Sequence, residues 1–151
     1  MKKKYVLPAL VIASVIGWNM TTPREAKSLP SVVTYKDPLC GCCQKWIDHM
    51  RRYGFSVTVI ETSNHFNVPS ALRSCHTSTI GNRVVEGHVP ADYIERWLDS
   101  NPPERGLAVP GMPINSPGME DQRRAGGYYE IYSFTDGGDV KVYAPVYRAE
   151  Q

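Results

Sequence analysis

Between residues 31 and 60 the spacing of apolar positions changes twice. Ser31-Val32-Val33-Thr34-Tyr35 has the β-branched make-up of a strand, and Lys36-Asp37-Pro38 breaks it. Cys43, Trp46, Ile47 and Met50 then recur at i, i+3, i+4 and i+7, the stripe of an amphipathic helix. Arg51 and Arg52 fall in its last turn, where cations suit the dipole, and Gly54 is placed to stop it. Phe55 to Ile60 alternates as a second strand.

The later pattern is less regular. Glu61 to Asn67 reads as loop, and Val68 to Arg73 as a short helix with Pro69 in its first turn, which delivers Cys75-His76 at its end. Thr77 to Ile80 and Arg83 to Glu86, joined by Gly81-Asn82, predict a hairpin. Pro90 to Ser100 predicts a helix whose apolar face is Ile94, Trp97 and Leu98, ended by Pro102-Pro103. Gly106 to Gly118 is dense in Gly and Pro and reads as an ordered loop presenting Met112 and, just beyond, Met119. Tyr128 to Phe134 and Val140 to Val146, around Thr135 to Asp139, predict a closing hairpin. These elements give an α/β chain with a central mixed sheet and flanking helices. A strand, helix, strand opening with CxxC at the first turn is the start of a thioredoxin-like fold.

At 151 residues the chain is long enough for one domain with a core that needs no disulfide to fold. Met1-Lys2-Lys3-Lys4 followed by the apolar run Tyr5 to Gly17 matches a secretory signal and is short for a membrane span. Residues 1–27 are therefore expected to be a signal peptide or N-terminal anchor, and residues 28–151 the exported domain, in the periplasm. Residues 1–27 hold five of the 17 basic and one of the 15 acidic residues, which leaves 12 against 14 and a body charge of about −2. That charge offers no footprint for nucleic acid and no basic patch for a membrane. Contact with a membrane is expected only through an uncleaved N-terminal segment.

The chemistry concentrates at Cys40-Gly41-Cys42-Cys43, which holds three of the four cysteines at the start of the first helix. Unpaired N–H groups and the positive end of the helix dipole favour thiolate there, the form that binds metal or attacks disulfides. CxCC carries more sulfur than one disulfide can use. Cys40, Cys42 and Cys43, with Cys75 brought over the helix start, suit bridging thiolates around several copper(I) ions; one tetrahedral zinc is the lesser metal reading. Met112 and Met119 are candidate thioether donors, with a flexible hydrophobic lid over the cysteines as the competing reading, and His76 follows Cys75 closely enough to supplement the site. His49 is too far along its helix to share an ion with Cys42, His88 suits a structural hydrogen bond, and His65 has no assigned role. Trp46 and Trp97 are core residues. The competing readings are a thiol-disulfide oxidoreductase using Cys40 and Cys43, and a small domain with two structural disulfides. No nucleophile elbow, phosphate loop or H-E-x-x-H helix supports a hydrolase.

Cys40-Gly-Cys-Cys-Gln-Lys-Trp46, Ser74-Cys-His-Thr77, Val84-Val-Glu-Gly-His-Val-Pro-Ala91 and Arg105-Gly-Leu-Ala-Val-Pro-Gly-Met112 with Ser116-Pro-Gly-Met119 together resemble the CopG-like proteins of bacterial copper-resistance systems. The likeness runs from about Ser31 to Val146. It implies a thioredoxin-like fold, a periplasmic location and a multinuclear copper cluster at Cys40, Cys42, Cys43 and Cys75. It also implies a role in handling copper and interconverting its oxidation states before export, with a periplasmic copper chaperone or efflux system as possible partner.

Overall fold

A computed structural model describes residues 28–121 and 126–148. The expected signal or anchor segment, residues 1–27, lies outside them. Strands β1 (Val32–Lys36), β2 (Val57–Ile60), β3 (His76–Ile80), β4 (Arg83–Gly87), β5 (Gly106–Val109), β6 (Gly127–Phe134) and β7 (Val140–Arg148) form a single sheet in the order β2-β1-β3-β4-β5-β6-β7. The pairs β1–β2 and β4–β5 are parallel and the others antiparallel. Two helices, α1 (Gly41–Tyr53) and α2 (Ala91–Asp99), make the two parallel crossovers.

The expected mixed α/β architecture is present, and α1 behaves as its stripe predicts. Cys43, Trp46, Ile47 and Met50 are its buried residues, and Gly54, at φ 122°, returns its N–H to the carbonyls of Met50 and Arg51. The main core joins this stripe to Ile94 and Trp97 of α2 and to Val32, Val85, Leu107 and Val109 of the sheet. The helices are also tied directly, because His49 Nε2 accepts the N–H of Ala91 at 3.1 Å, at the start of α2. His49 is thus a packed structural residue. Successive strand residues point to opposite faces, so Val84 and Ala108 look away from this core. There they pack with Val68, Leu72 and Phe134 under the segment between β2 and β3.

Two expectations need correction. The Gly/Pro-rich stretch 106–118 is not all loop: Gly106–Val109 is β5, an interior strand buried at every residue. A strand covered on both faces shows no alternation, and four residues are too few to reveal a period, so its neighbouring glycines and prolines dominated the pattern. The short helix over Val68 to Arg73 contracts to a 3₁₀ turn at Ser70–Leu72.

Candidate metal centre

One end of the sheet collects the chemistry. Because β1, β4 and β5 run in the same direction, their carboxyl ends meet there, together with the amino end of β3. Carboxyl strand ends are the usual place for ligands in open α/β sheets. The chain leaves β1 into the CxCC turn, β4 into His88 and β5 into the Met112 loop, and enters β3 through Cys75.

The turn before α1 is held by its own side chains and backbone. Lys36 Nζ donates to the carbonyls of Asp37 (2.8 Å) and Pro38 (3.3 Å), Asp37 Oδ1 accepts from the Leu39 N–H, and Cys40 N–H reaches the Asp37 carbonyl. Cys40 is the N-cap of α1, and its sulfur accepts the N–H of Cys43 at 3.3 Å. Cys40 and Cys43 are joined as a disulfide with their Cα atoms 5.3 Å apart, and Cys42 and Cys75 are free thiols.

All four sulfurs lie within 4.8 Å of one another. Cys42 Sγ is 3.5 Å from Cys40 Sγ, 4.0 Å from Cys75 Sγ and 3.8 Å from the Met112 thioether. Met112 is 52% exposed, so it closes the outer side of the group as a thioether that solvent can reach. Met119 does not share this position. Its backbone closes a turn with Ser116 and Asn115, and its sulfur makes none of the contacts that Met112 makes.

Cys75 is positioned from below by a buried carboxyl. Glu86 accepts the Ser74 N–H at 2.6 Å through Oε1, which also faces His65 Nδ1 at 3.0 Å, while Oε2 accepts from the Thr77 hydroxyl. Glu86 is fully buried, which pushes its carboxyl up from the ordinary range against the pull of these donors. His65, which the sequence left without a role, therefore helps hold the Ser74–Cys75 turn. Ser74 Oγ donates to the Gly111 carbonyl and so ties that turn to the methionine loop.

Cys75 lies in a buried, imidazole-flanked position. Burial, followed by the nearby Cys42, pushes its thiol up to about 12, so a metal cation there must displace a proton. His76 Nδ1 is 3.4 Å from its sulfur, and His76 Nε2 is buried without a hydrogen-bond partner. Burial, with His88 and Lys36 adding to it, brings His76 down to about 3, so its ring is neutral. His88 Nε2 lies 3.1 Å from the same sulfur, and its Nδ1 donates to the Pro117 carbonyl at 2.7 Å. The structural hydrogen bond expected of His88 is there; its approach to Cys75 is what sequence reasoning missed. The signal was available in the hairpin: the register Thr77↔Glu86, continued outward by two residues, puts Cys75 opposite His88.

The loop carrying Met112 and Pro117 is seated on α1 at a glycine. Gly118 has φ +88°, and a Cβ there would lie 2.8 Å from the Cys42 carbonyl and 2.9 Å from the Trp46 nitrogen, both backbone atoms of the helix. Gly118→Ala is expected to lift the loop from the helix, withdrawing Pro117 from His88 and Met112 from Cys42. If the site holds copper, its affinity should fall roughly tenfold, as for loss of other supports around metal ligands. Competition with a copper(I) chelator, beside a melting curve showing a folded domain, checks it.

A sulfur group with one thioether and two imidazoles is a soft donor set, which suits copper(I) more than the oxygen-seeking cations. Among the described residues no helix is long and apolar enough to cross a membrane. Residues 72–119 match a family model described as a protein of unknown function, DUF411. No curated protein matches the chain. Two solved structures of copper resistance protein CopG, form 1 and form 2, are each 37% identical to it with a TM-score of 0.69, over 78% of this chain and 98% of theirs. With this likeness spanning nearly the whole of the solved proteins, the chain belongs to the CopG-like family.

Proposed function

We propose that the chain is a periplasmic, thioredoxin-like copper-binding protein of copper homeostasis or resistance, with Cys40, Cys42, Cys43 and Cys75 as thiolate ligands to copper(I) in a multinuclear site. The observation that carries this reading is the convergence of Cys42, Cys75 and Met112 on the CxxC pair. A redox pair needs only Cys40 and Cys43, yet Cys42 lies 4.0 Å from Cys75 and 3.8 Å from the Met112 thioether. The thioredoxin-like part is supported by β1–α1–β2, a parallel strand-helix-strand unit with cysteines at the helix start. With Cys40 and Cys43 reduced, four sulfurs lie within 4.8 Å of one another, and copper is the cargo such a group suits. Copper arriving from a periplasmic chaperone and leaving by an efflux system fits a site open on its Met112 side. Interconversion of its oxidation states before export belongs to the same reading.

Met112, at 3.8 Å from Cys42 Sγ, is proposed as a supplementary ligand; Met119 takes the lid role, and His76 stays a candidate beside Cys75. Elemental analysis of reduced protein offered copper(I) and zinc together tests the function. More than one copper per chain and little zinc are expected; a single zinc per chain without copper would overturn the reading. In the same assay Met112→Leu should weaken copper retention while Met119→Leu leaves it unchanged, since Leu keeps the volume and removes the sulfur.

One observation favours a second reading. The disulfide between Cys40 and Cys43 fits the oxidised form of a thiol-disulfide oxidoreductase, in which reduced Cys40 would attack a substrate disulfide and Cys43 would resolve the mixed disulfide. The substrate leaves with two thiols and the pair returns to the disulfide. Cys42 and Cys75 have no part in that cycle.

A further inference from the structure

We propose that Lys36 is the counter-charge of the metal centre: its ammonium, buried at the carboxyl end of β1, offsets the negative charge that the thiolates bring when copper first enters. The inference rests on the copper reading above and adds to it a residue that is not a ligand.

A lysine is rarely buried without an anionic partner, yet Lys36 is only 4% exposed. Among the described residues its ammonium donates to two carbonyl oxygens, those of Asp37 at 2.8 Å and Pro38 at 3.3 Å, and to no carboxylate. Asp37, the acid next to it in the chain, turns its side chain to the Leu39 N–H instead. Carbonyl oxygens carry partial charge, so most of the charge of this buried cation is left unanswered. The hydrogen bonds do not account for a lysine either. The Asp37 carbonyl also receives the Cys40 N–H, and Asp37 and Pro38 are both exposed, so water can take over what the ammonium gives up.

Its position shows what would answer the charge. Val32, Thr34 and Lys36 alternate onto one face of β1, the face that Val32 turns to the core under α1. On one side the ammonium lies against the turn that carries Cys40, since it and the Cys40 N–H end on the same Asp37 oxygen. On the other, Lys36 stands opposite His76 in the β1–β3 register, and its charge helps to hold that ring neutral. His76 follows Cys75 directly. The cation is thus bracketed by the two segments that bring in sulfur.

Four thiolates carry four negative charges and each copper(I) returns one, so the loaded group stays anionic until it holds as many coppers as thiolates. On the buried side of the site an opposite charge acts with little screening by water or salt. Lys36 therefore strengthens binding of the first copper most and of the last least.

Reduced wild type, Lys36→Met, Lys36→Gln and Lys36→Arg are titrated anaerobically with copper(I) against a chelator, and melting curves are taken for each protein oxidised and metal-free. Lys36→Met and Lys36→Gln are expected to lose roughly tenfold in affinity for the first copper and less for later ones, while Lys36→Arg keeps it. Their metal-free melting temperatures should equal or exceed that of wild type, because an unanswered buried charge has been removed. A residue that only held the turn together would behave otherwise, losing stability with or without metal and being rescued by Gln, which keeps a donor. Neutral variants that fail to fold or melt well below wild type, or that bind the first copper as tightly as wild type, overturn the proposal and leave the copper reading standing. A wild type that binds no copper overturns both.

Discussion

Cys75→Ser is expected to weaken copper(I) binding roughly a hundredfold or more, about 2.7 kcal/mol or greater. Its sulfur is the atom that joins the two halves of the site, 4.0 Å from Cys42 and 3.1 Å from His88. Serine offers a hard hydroxyl that copper(I) does not favour. The loss should not come from unfolding, because the turn is held by the Ser74 N–H and Thr77 hydroxyl on Glu86, and neither bond uses the Cys75 side chain. Chelator competition with a melting curve on the same sample checks both statements. Any disulfide exchange by Cys40 and Cys43 should persist in this variant.

The largest stability effect is expected at Trp46→Ala, about 3–5 kcal/mol, the range for removing a large buried aromatic from a packed core. Trp46 is fully buried in the main core, and its ring lies 4.6 Å from that of His76. Its indole N–H donates to the Val89 carbonyl at 2.8 Å, one residue after His88. The same substitution leaves that buried carbonyl unpaired and frees the chain beyond β4. Urea unfolding should therefore show a lower midpoint, and the reduced variant, where folded, should also bind copper less tightly. A midpoint within error of wild type would contradict the packing described for α1.

Local structure was the legible part of the sequence. Cys43, Trp46, Ile47 and Met50 state the helix and its buried face in eight residues, and the capping turn at Asp37 to Cys40 is equally local. Gly81-Asn82 marked the β3–β4 hairpin correctly. What was missed depends on pairing between distant segments. β5 could not be read because four residues buried on both faces carry no period, and its partners lie twenty or more residues away on either side. Met112 and Met119 look equivalent along the chain, yet Gly118 seats the loop on α1 and Met112 meets Cys42 at 3.8 Å. His88 is the instructive case, since a structural hydrogen bond was expected and is present. Its second nitrogen acquires meaning only when the hairpin register brings Cys75 beside it.

The central claim is that CxCC with Cys75 is a copper site and that its cysteines do more than form a redox pair. Cys42 decides this most directly, because an oxidoreductase built on Cys40 and Cys43 does not need it. Copper per chain by elemental analysis and insulin-type disulfide reduction should be measured side by side for reduced wild type and Cys42→Ser. Cys42→Ser is expected to hold markedly less copper than wild type, with any disulfide exchange unchanged. Equal copper in the two proteins, together with substantial disulfide reduction by both, would contradict it and favour the oxidoreductase.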